Sequence, residues 1–151
     1  MAVTVDQIKS LRLKTGLGIH DVKNALEASN GDETKAIAWL KEKGLSTVAK
    51  KSDRATSNGL IDVYTHGGRI GAMVEVSCET DFVARNDDFK AFVHDISLQV
   101  ASMNPKDVDE LLKQEFFKDS SLTIQDYLNE TITKIGENIK IARFTRLELG
   151  S

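Results

Sequence analysis

The side chains best suited to chemistry stand together at positions 78 to 82, where a cysteine, two carboxylates and an aromatic ring fall within five residues. A hydrolase would need a nucleophile such as Cys78 beside a base, or paired carboxylates such as Glu79 and Asp81 in a cleft. No histidine lies near them in the sequence. Cys78 also falls on the buried phase of a predicted strand, which is typical of a small core residue. We therefore expect this protein not to be an enzyme.

Metal and phosphate ligands are too dispersed to form a site. His20, His66 and His94 are far apart in the sequence, and a single cysteine cannot complete a zinc site of the usual kinds. The glycine-rich stretch at residues 67–71 resembles a phosphate loop, but no helix is predicted after it and the Lys-Ser/Thr pair is missing. Two adjacent glycines indicate a tight hairpin turn instead. We expect neither a metal nor a cofactor.

The overall charge and hydropathy limit the classes of partner. A net charge of −3 does not indicate nucleic-acid binding, since each neutralised phosphate needs a lysine or arginine. No apolar run approaches the roughly 18 residues of a membrane helix, and the N-terminus lacks a basic segment followed by an apolar one. We expect a cytoplasmic protein, or one of an organelle stroma or matrix if a transit peptide was removed.

The first third of the chain predicts three short helices. Thr4 and Gln7 have the spacing of a capping box, and Gly16, Gly31 and Gly44 are placed to end successive helices. The apolar stripes are Val5, Ile8, Leu11; Ile19, Val22, Ala25, Leu26; and Ala36, Ile37, Leu40. Because such short helices are not stable alone, they must pack together as one domain.

The rest of the chain predicts an α+β domain. Residues 60–65 and 70–78 read as two strands of a hairpin, and residues 139–149 as a strand that joins it to make a three-stranded antiparallel sheet packed with helices. Helical patterns cover 107–118 and 122–135. A longer helix presents Phe89, Phe92, Val93, Ile96, Val100 and Met103 on one face.

These patterns divide the chain into a three-helix domain at residues 1–50, a linker at 51–58 and the α+β domain at 59–151. The linker loses the apolar period and carries a basic run that favours a solvated face.

Two placements of Phe82 are open. Phe82 precedes Phe89 by seven residues, so a continuous helix would put both rings on the core face. A break at residues 86–88 would free Phe82 to point outwards. Thr80 or Asp81 could serve as the cap of a helix that begins there.

Four blocks of the sequence resemble the elongation factor Ts family. In chain order they are Leu11-Arg12 with Thr15-Gly16-Leu17-Gly18 and Asp21-Val22-Lys23-Asn24-Ala25-Leu26; Glu79-Thr80-Asp81-Phe82-Val83-Ala84-Arg85-Asn86; Lys134-Ile135-Gly136-Glu137-Asn138-Ile139; and Arg143-Phe144-Thr145-Arg146-Leu147-Glu148-Leu149-Gly150. The second block is the most specific to the family. His20 is a departure, since the family usually has Met or a similar apolar residue there.

The resemblance implies a guanine-nucleotide exchange factor for elongation factor Tu in protein synthesis. It implies binding to GDP-bound and nucleotide-free factor Tu, with GDP released because Mg²⁺ is dislodged. The residues that it assigns to this step are Thr80, Asp81, Phe82 and Val83. It further implies that residues 1–50 form a ubiquitin-associated-like (UBA-like) domain that docks on the nucleotide domain of factor Tu through Arg12, Ile19 and His20.

The chain is short for this family, in which longer members carry two related core halves. Short forms are similar in needing a partner copy, so the resemblance also implies a homodimer. Two other functions stay open on the residues alone. One is a UBA-type binding module built on residues 1–50, which leaves the block after Cys78 unexplained. The other is an enzyme that rests on Cys78, Glu79 and Asp81.

Overall fold

The computed structural model describes residues 2–151, and the chain divides into two compact units, Met1–Lys50 and Lys51–Ser151. The first unit is helical, and the second combines helices with a three-stranded antiparallel sheet. The predicted α+β fold class is therefore confirmed.

The first unit is formed by three helices, α1 (Val5–Thr15), α2 (Ile19–Ala28) and α3 (Glu33–Lys51). The predicted capping box is present at the start of α1, where Thr4 and Gln7 each bond the other's backbone N–H. Buried apolar side chains from all three helices form the core of this unit: Leu11, Val22, Ala25, Leu26, Ala36 and Leu40.

Three residues of the predicted stripes are exposed instead, namely Val5, Ile19 and Ile37. The cause is helical geometry. Residues three apart are rotated by about 60° relative to each other around an α-helix, so the ends of a strict three-residue series face different directions. In α1 this leaves Leu11 buried and turns Val5 to solvent.

Gly44 does not end the third helix, contrary to prediction. Gly16 and Gly31 adopt positive φ angles of 71° and 80° just after their helices, whereas Gly44 is buried inside α3. A glycine in a helix interior costs about 1 kcal/mol relative to alanine, which packing can offset. The helix therefore runs on to Lys51.

The sheet of the second unit is built from β1 (Asn58–His66), β2 (Ile70–Cys78) and a late strand, β5 (Ile139–Glu148), in the order β1-β2-β5. All pairs are antiparallel, as predicted. Gly67 and Gly68 form the predicted hairpin turn with φ angles of 58° and 68°. These values require glycine or a residue that tolerates the left-handed region.

The other elements of the second unit follow β2 in the chain. They are α4 (Asp81–Ala84), α5 (Asp87–Met103), α6 (Val108–Lys113), β3 (Glu115–Phe116), β4 (Asp119–Thr123) and α7 (Ile124–Ile135). The helix α5 packs on β1 and β2. Its buried face carries Phe89, Phe92, Val93, Ile96 and Val100 as predicted, but Met103 is exposed at the end of the helix.

The helical pattern predicted at 107–118 is only half correct, because α6 ends at Lys113 and the β3–β4 hairpin follows. A buried side chain explains the change. The Gln99 amide donates to the Glu115 carbonyl at 3.0 Å, and its oxygen accepts the Phe117 N–H at 3.0 Å. These long-range bonds satisfy the extended backbone, which local helix propensity cannot foresee.

A bulge in β5 changes which of its residues face the core. Glu75 pairs with Arg143 while Val76 pairs with Ile141, so Ala142 is an extra residue. Ile139 and Ile141 are buried before the bulge, and Leu147 is 75% exposed after it. The period-two pattern that placed Leu147 with the two isoleucines is therefore interrupted.

Candidate partner-binding site

The segment after β2 forms two helices rather than one. Thr80 is the N-cap of α4, and its hydroxyl accepts the Val83 N–H at 3.3 Å. Asn86 is the N-cap of α5, since its side-chain oxygen accepts the N–H groups of Asp88 and Phe89. Each cap satisfies backbone donors that have no partner inside a helix. The helix break at Asn86 separates Phe82 from the core stripe.

Phe82 consequently points to solvent and is 75% exposed. Its neighbour Asp81 is exposed as well. Arg85 contacts both, pairing with the Asp81 carboxylate at 3.1 Å and lying 5.6 Å from the centre of the Phe82 ring. Exposed ion pairs contribute less than about 1 kcal/mol. A partner that binds Asp81 and Phe82 would therefore break their contacts with Arg85 at little cost in free energy.

The residues directly before α4 are held more firmly, by hydrogen bonds to two glutamates. Glu137 bonds residues 79 and 80, and Glu79 in turn bonds the residue that follows Glu137. The Glu137 carboxylate accepts the backbone N–H groups of Glu79 and Thr80 at 3.1 and 3.0 Å, and the Thr80 hydroxyl at 2.7 Å. The Glu79 carboxylate accepts the Asn138 N–H at 2.8 Å. We call Glu79, Thr80, Glu137 and Asn138 the carboxylate clamp.

Glu137 and Asn138 lie in a block of the sequence that resembles the family, but the resemblance assigns them no role. Their only local signal was position, directly after the helix-ending Gly136, whose φ is 90°. A residue that bonds positions 57 and 58 places earlier in the chain cannot be found from sequence spacing.

Cys78 is a core residue, as predicted. It is fully buried, and its thiol donates to the Thr80 carbonyl at 3.2 Å. Burial raises the pKa of the thiol, and the nearby negative charge of Glu137 raises it further. A reactive cysteine needs a lowered pKa, so Cys78 is not suited to nucleophilic catalysis.

A second cluster of polar residues also lacks a catalytic arrangement. His94 and Ser97 both contact the Asp62 carboxylate, at 3.1 and 2.7 Å. Ser97 is fully buried, and its hydroxyl bonds to Asp62 and to the His94 carbonyl rather than to the imidazole ring. A serine nucleophile would need that ring as its base.

Arg12, Ile19 and His20 lie at the junction of α1 and α2 in the first unit. All three are exposed, and Ile19 is 57% exposed. The Arg12 guanidinium donates to the Leu17 carbonyl at 3.4 Å, which directs it towards the start of α2. Leu13, which belongs to none of the predicted apolar stripes, is also exposed.

The sheet face opposite α5 is unusually apolar for an exposed surface. We define the outer sheet face by the exposed side chains Ile61, Val63, Met73 and Leu147. Val63 pairs directly with Met73, and Gly71 with Leu147, so these residues lie in adjacent rows. Glu75 and Arg143 form an ion pair on the same face at 3.2 Å.

Within residues 2–151, no three histidine, cysteine or acidic side chains are grouped closely enough to hold a metal ion. The described helices include none that is both long and apolar enough to cross a bilayer. The fold and site together define an α+β protein in which the Asp81 and Phe82 side chains are exposed.

Comparison with known proteins identifies the family. Residues 79–151 match the family model described as Elongation factor TS. The chain is 40% identical to elongation factor Ts of Oleidesulfovibrio alaskensis, with 99% of each chain covered, and 42% identical to that of Thermoanaerobacter sp. strain X514, with 98% of this chain and 95% of the relative covered. It is 41% identical to that of Herpetosiphon aurantiacus over the full length of both chains. This chain belongs to the elongation factor Ts family, and its role is in the elongation stage of protein biosynthesis.

The same alignments show that this chain is shorter than these relatives. They extend over 194 to 197 positions, whereas the chain has 151 residues. The relatives therefore contain internal residues that have no counterpart here.

Proposed function

We propose that this protein is a guanine-nucleotide exchange factor for elongation factor Tu, acting in the cytoplasm without making or breaking a covalent bond. The observation that carries the proposal is the exposure of Asp81 and Phe82 at the start of α4, above a base fixed by the carboxylate clamp. Thr80 and Val83 complete the segment, because their hydrogen bond sets the first turn of the helix.

The proposed mechanism uses the way in which a GTPase holds GDP. Mg²⁺ bridges the phosphate oxygens, and backbone N–H groups of the phosphate loop surround them. Insertion of the Phe82 ring beside the metal displaces the groups that hold it, while the Asp81 carboxylate competes for the cation or for released N–H groups. Loss of Mg²⁺ weakens the binding of GDP, and GDP is then released.

The energy required is within the reach of such a contact. Each tenfold weakening of GDP binding requires about 1.4 kcal/mol of preference for the nucleotide-free partner, so a thousandfold effect requires about 4 kcal/mol. A buried aromatic anchor supplies about 2 kcal/mol or more. By linkage, GDP must weaken binding of this protein to factor Tu by the same factor.

In this proposal the first unit supplies docking. Residues 1–50 act as a UBA-like domain on the nucleotide domain of factor Tu, with Arg12, Ile19 and His20 in the contact. The exposed Ile19 offers apolar area and Arg12 a charged donor, a combination that is common in interface centres. The imidazole of His20 provides less apolar area than the methionine usual in the family.

Stopped-flow release of a fluorescent GDP from factor Tu tests the function directly. The native protein is expected to accelerate release in a concentration-dependent way, and Phe82→Ala to lower the maximal rate by at least about tenfold. Phe117→Ala is the matched control, since Phe117 is a second exposed phenylalanine of the same unit. An unchanged rate with Phe82→Ala removes the ring from the mechanism, and no acceleration by the native protein ends the proposal.

We also propose a homodimer formed through the outer sheet face. Its four exposed apolar side chains and the Glu75–Arg143 pair can meet the same groups of a second copy across a two-fold axis, as closed dimers require. Exposed apolar patches on a monomer commonly mark such interfaces.

The oligomeric state in solution tests the dimer. Met73→Asp introduces a charge on the outer sheet face and is expected to shift the mass measured by analytical ultracentrifugation from dimer to monomer. Met103→Asp is the matched control, because Met73 and Met103 are 45% and 48% exposed but Met103 lies at the end of α5. A native monomer, or equal dissociation by both variants, contradicts the proposed interface.

A further inference from the structure

The base of the α4 segment depends on one side chain from a distant part of the chain. Glu137 lies in the turn between α7 and β5, and its two carboxylate oxygens accept three hydrogen bonds from Glu79 and Thr80. Both residues directly precede the exposed Asp81. A carboxylate is the strongest acceptor available in a side chain, so these bonds fix the backbone on which α4 begins.

The Thr80 hydroxyl transmits this constraint into the helix. Because the hydroxyl donates its single proton to Glu137, its lone pairs are directed at the Val83 N–H, which it accepts at 3.3 Å. Glu137 thereby selects the rotamer in which Thr80 acts as the N-cap. The orientation of the first helical turn follows from that choice, and this turn carries Asp81 and Phe82.

The geometry points to Glu137 as a positioning residue for nucleotide exchange, which holds Asp81 and Phe82 in the arrangement that enters the partner. This inference rests on the proposed exchange function and adds a residue to it. Glu137 itself is not required to touch factor Tu.

The remaining contacts of the clamp explain why Glu137 is itself held in place. Asn138 follows it, donating its backbone N–H to Glu79 at 2.8 Å and its buried side-chain amide to the Arg54 carbonyl at 2.8 Å. Arg54 also pairs with the Glu79 carboxylate at 3.5 Å. Residues 79–80 and residues 137–138 therefore hold each other in place by hydrogen bonds in both directions. The contact between Arg85 and Asp81, by contrast, lies at the exposed surface.

The decisive experiment measures GDP release from factor Tu as a function of exchange-factor concentration. Glu137→Ala is expected to lower the maximal release rate by about tenfold to a hundredfold, the range typical of misplacing a group that must be oriented. The concentration for half-maximal release should change little, because the docking residues of the first unit are untouched. A lost affinity with an unchanged maximal rate would overturn the inference.

A control at a second helix-capping carboxylate separates positioning from general weakening of the fold. Asp126 is also a carboxylate that accepts a backbone N–H at a helix start, through the capping box with Thr123 at α7. Asp126→Ala should also reduce stability, by the loss of one such bond, and leave the maximal release rate near that of the native protein. An equal loss of rate in both variants would show that Glu137 acts through stability alone.

A conservative pair of substitutions covers the case in which Glu137→Ala does not fold. Glu137→Gln keeps an oxygen for the backbone N–H groups but loses the carboxylate acceptor of the Thr80 hydroxyl, so an intermediate rate is expected. Thr80→Val removes the same contact from the other side, together with the hydroxyl that accepts the Val83 N–H. Because both substitutions remove the hydrogen bond between Glu137 and Thr80, the double variant should be no slower than the slower single variant, and independent effects would contradict the inference.

The outcome separates this inference from the proposed function. If the native protein does not accelerate GDP release, the function fails. If the native protein does accelerate release, and Glu137→Ala reaches the same maximal rate, only the positioning role of Glu137 fails. Hydrogen exchange at the Glu79 and Thr80 amides reports the clamp independently of factor Tu, and faster exchange is expected in Glu137→Ala.

Discussion

Phe82 and Phe92 are the same residue type ten positions apart, yet the structure gives them opposite environments. Phe92 is buried and stacks on Tyr127, with ring centres 5.0 Å apart, and Phe116 also stacks on Tyr127, at 4.3 Å. Phe82 lies 5.6 Å from the Arg85 guanidinium and is mostly exposed. The difference is set by the caps at Thr80 and Asn86 rather than by hydrophobicity. A ring is available to a partner when the helix that carries it ends before the core begins.

The largest expected effects come from truncating these two rings. Phe92→Ala should lower the free energy of unfolding by about 3–5 kcal/mol, since it removes a buried aromatic and leaves a cavity. Phe82→Ala should change it by less than about 0.5 kcal/mol, as is usual for exposed positions, while the maximal rate of GDP release falls by at least about tenfold. Urea unfolding followed by circular dichroism measures both. A large destabilisation by Phe82→Ala would mean that its ring is packed in solution.

Removal of the Tyr127 hydroxyl tests the polar part of the buried cluster. The hydroxyl donates to the Asp95 carboxylate at 2.6 Å, and Asp95 also pairs with Lys118 at 2.7 Å. Tyr127→Phe should cost about 1.5–3 kcal/mol, the usual value of a hydrogen bond to a charged group. The corresponding change at the exposed pair, Arg85→Ala, should cost less than about 1 kcal/mol. An equal loss of stability in Tyr127→Phe and Arg85→Ala would contradict the distinction between the buried cluster and the exposed α4 segment.

The same hydroxyl predicts how stability depends on pH. Burial raises the pKa of Tyr127 above its ordinary value, and the bond to Asp95 raises it further. The folded state therefore favours the protonated phenol. Its contribution is fully present below the pKa of the unfolded chain, about 10, and is lost as the pH rises further. The raised pKa of Cys78 acts in the same direction from about pH 9.

Unfolding measured from pH 8 to 11 checks this linkage. The native protein should lose stability above about pH 9 to 10, and Tyr127→Phe should lose it less steeply because the titrating group is gone. Identical slopes in the two proteins would show that Tyr127 does not couple to folding.

The smallest expected effect concerns docking by the first unit. His20→Met replaces an exposed imidazole by the apolar side chain usual in the family, and it should tighten binding to factor Tu by a few-fold, since a modest gain in buried apolar area is worth about 1 kcal/mol. Titration calorimetry with nucleotide-free factor Tu measures the affinity. Weaker binding would show that His20 makes a specific polar contact.

The sequence by itself determined the elements whose causes are local. The β1–β2 hairpin followed from two glycines that allow positive φ and from the alternation that buries Val74 and Val76. The capping box at Thr4 and the end of α7 at Gly136 followed from residue types at fixed spacing. The α+β class and the burial of Cys78 came from the same patterns.

Only the tertiary structure decided the features that depend on contacts between distant segments. The β3–β4 hairpin replaces part of a predicted helix because Gln99 bonds its backbone, and the bulge at Ala142 turns Leu147 outwards. The exposure of Phe82 was an open alternative until the break at Asn86 was seen. The base beneath that ring depends on Glu137, since hydrogen bonds between residues far apart in the chain form only when packing brings them together.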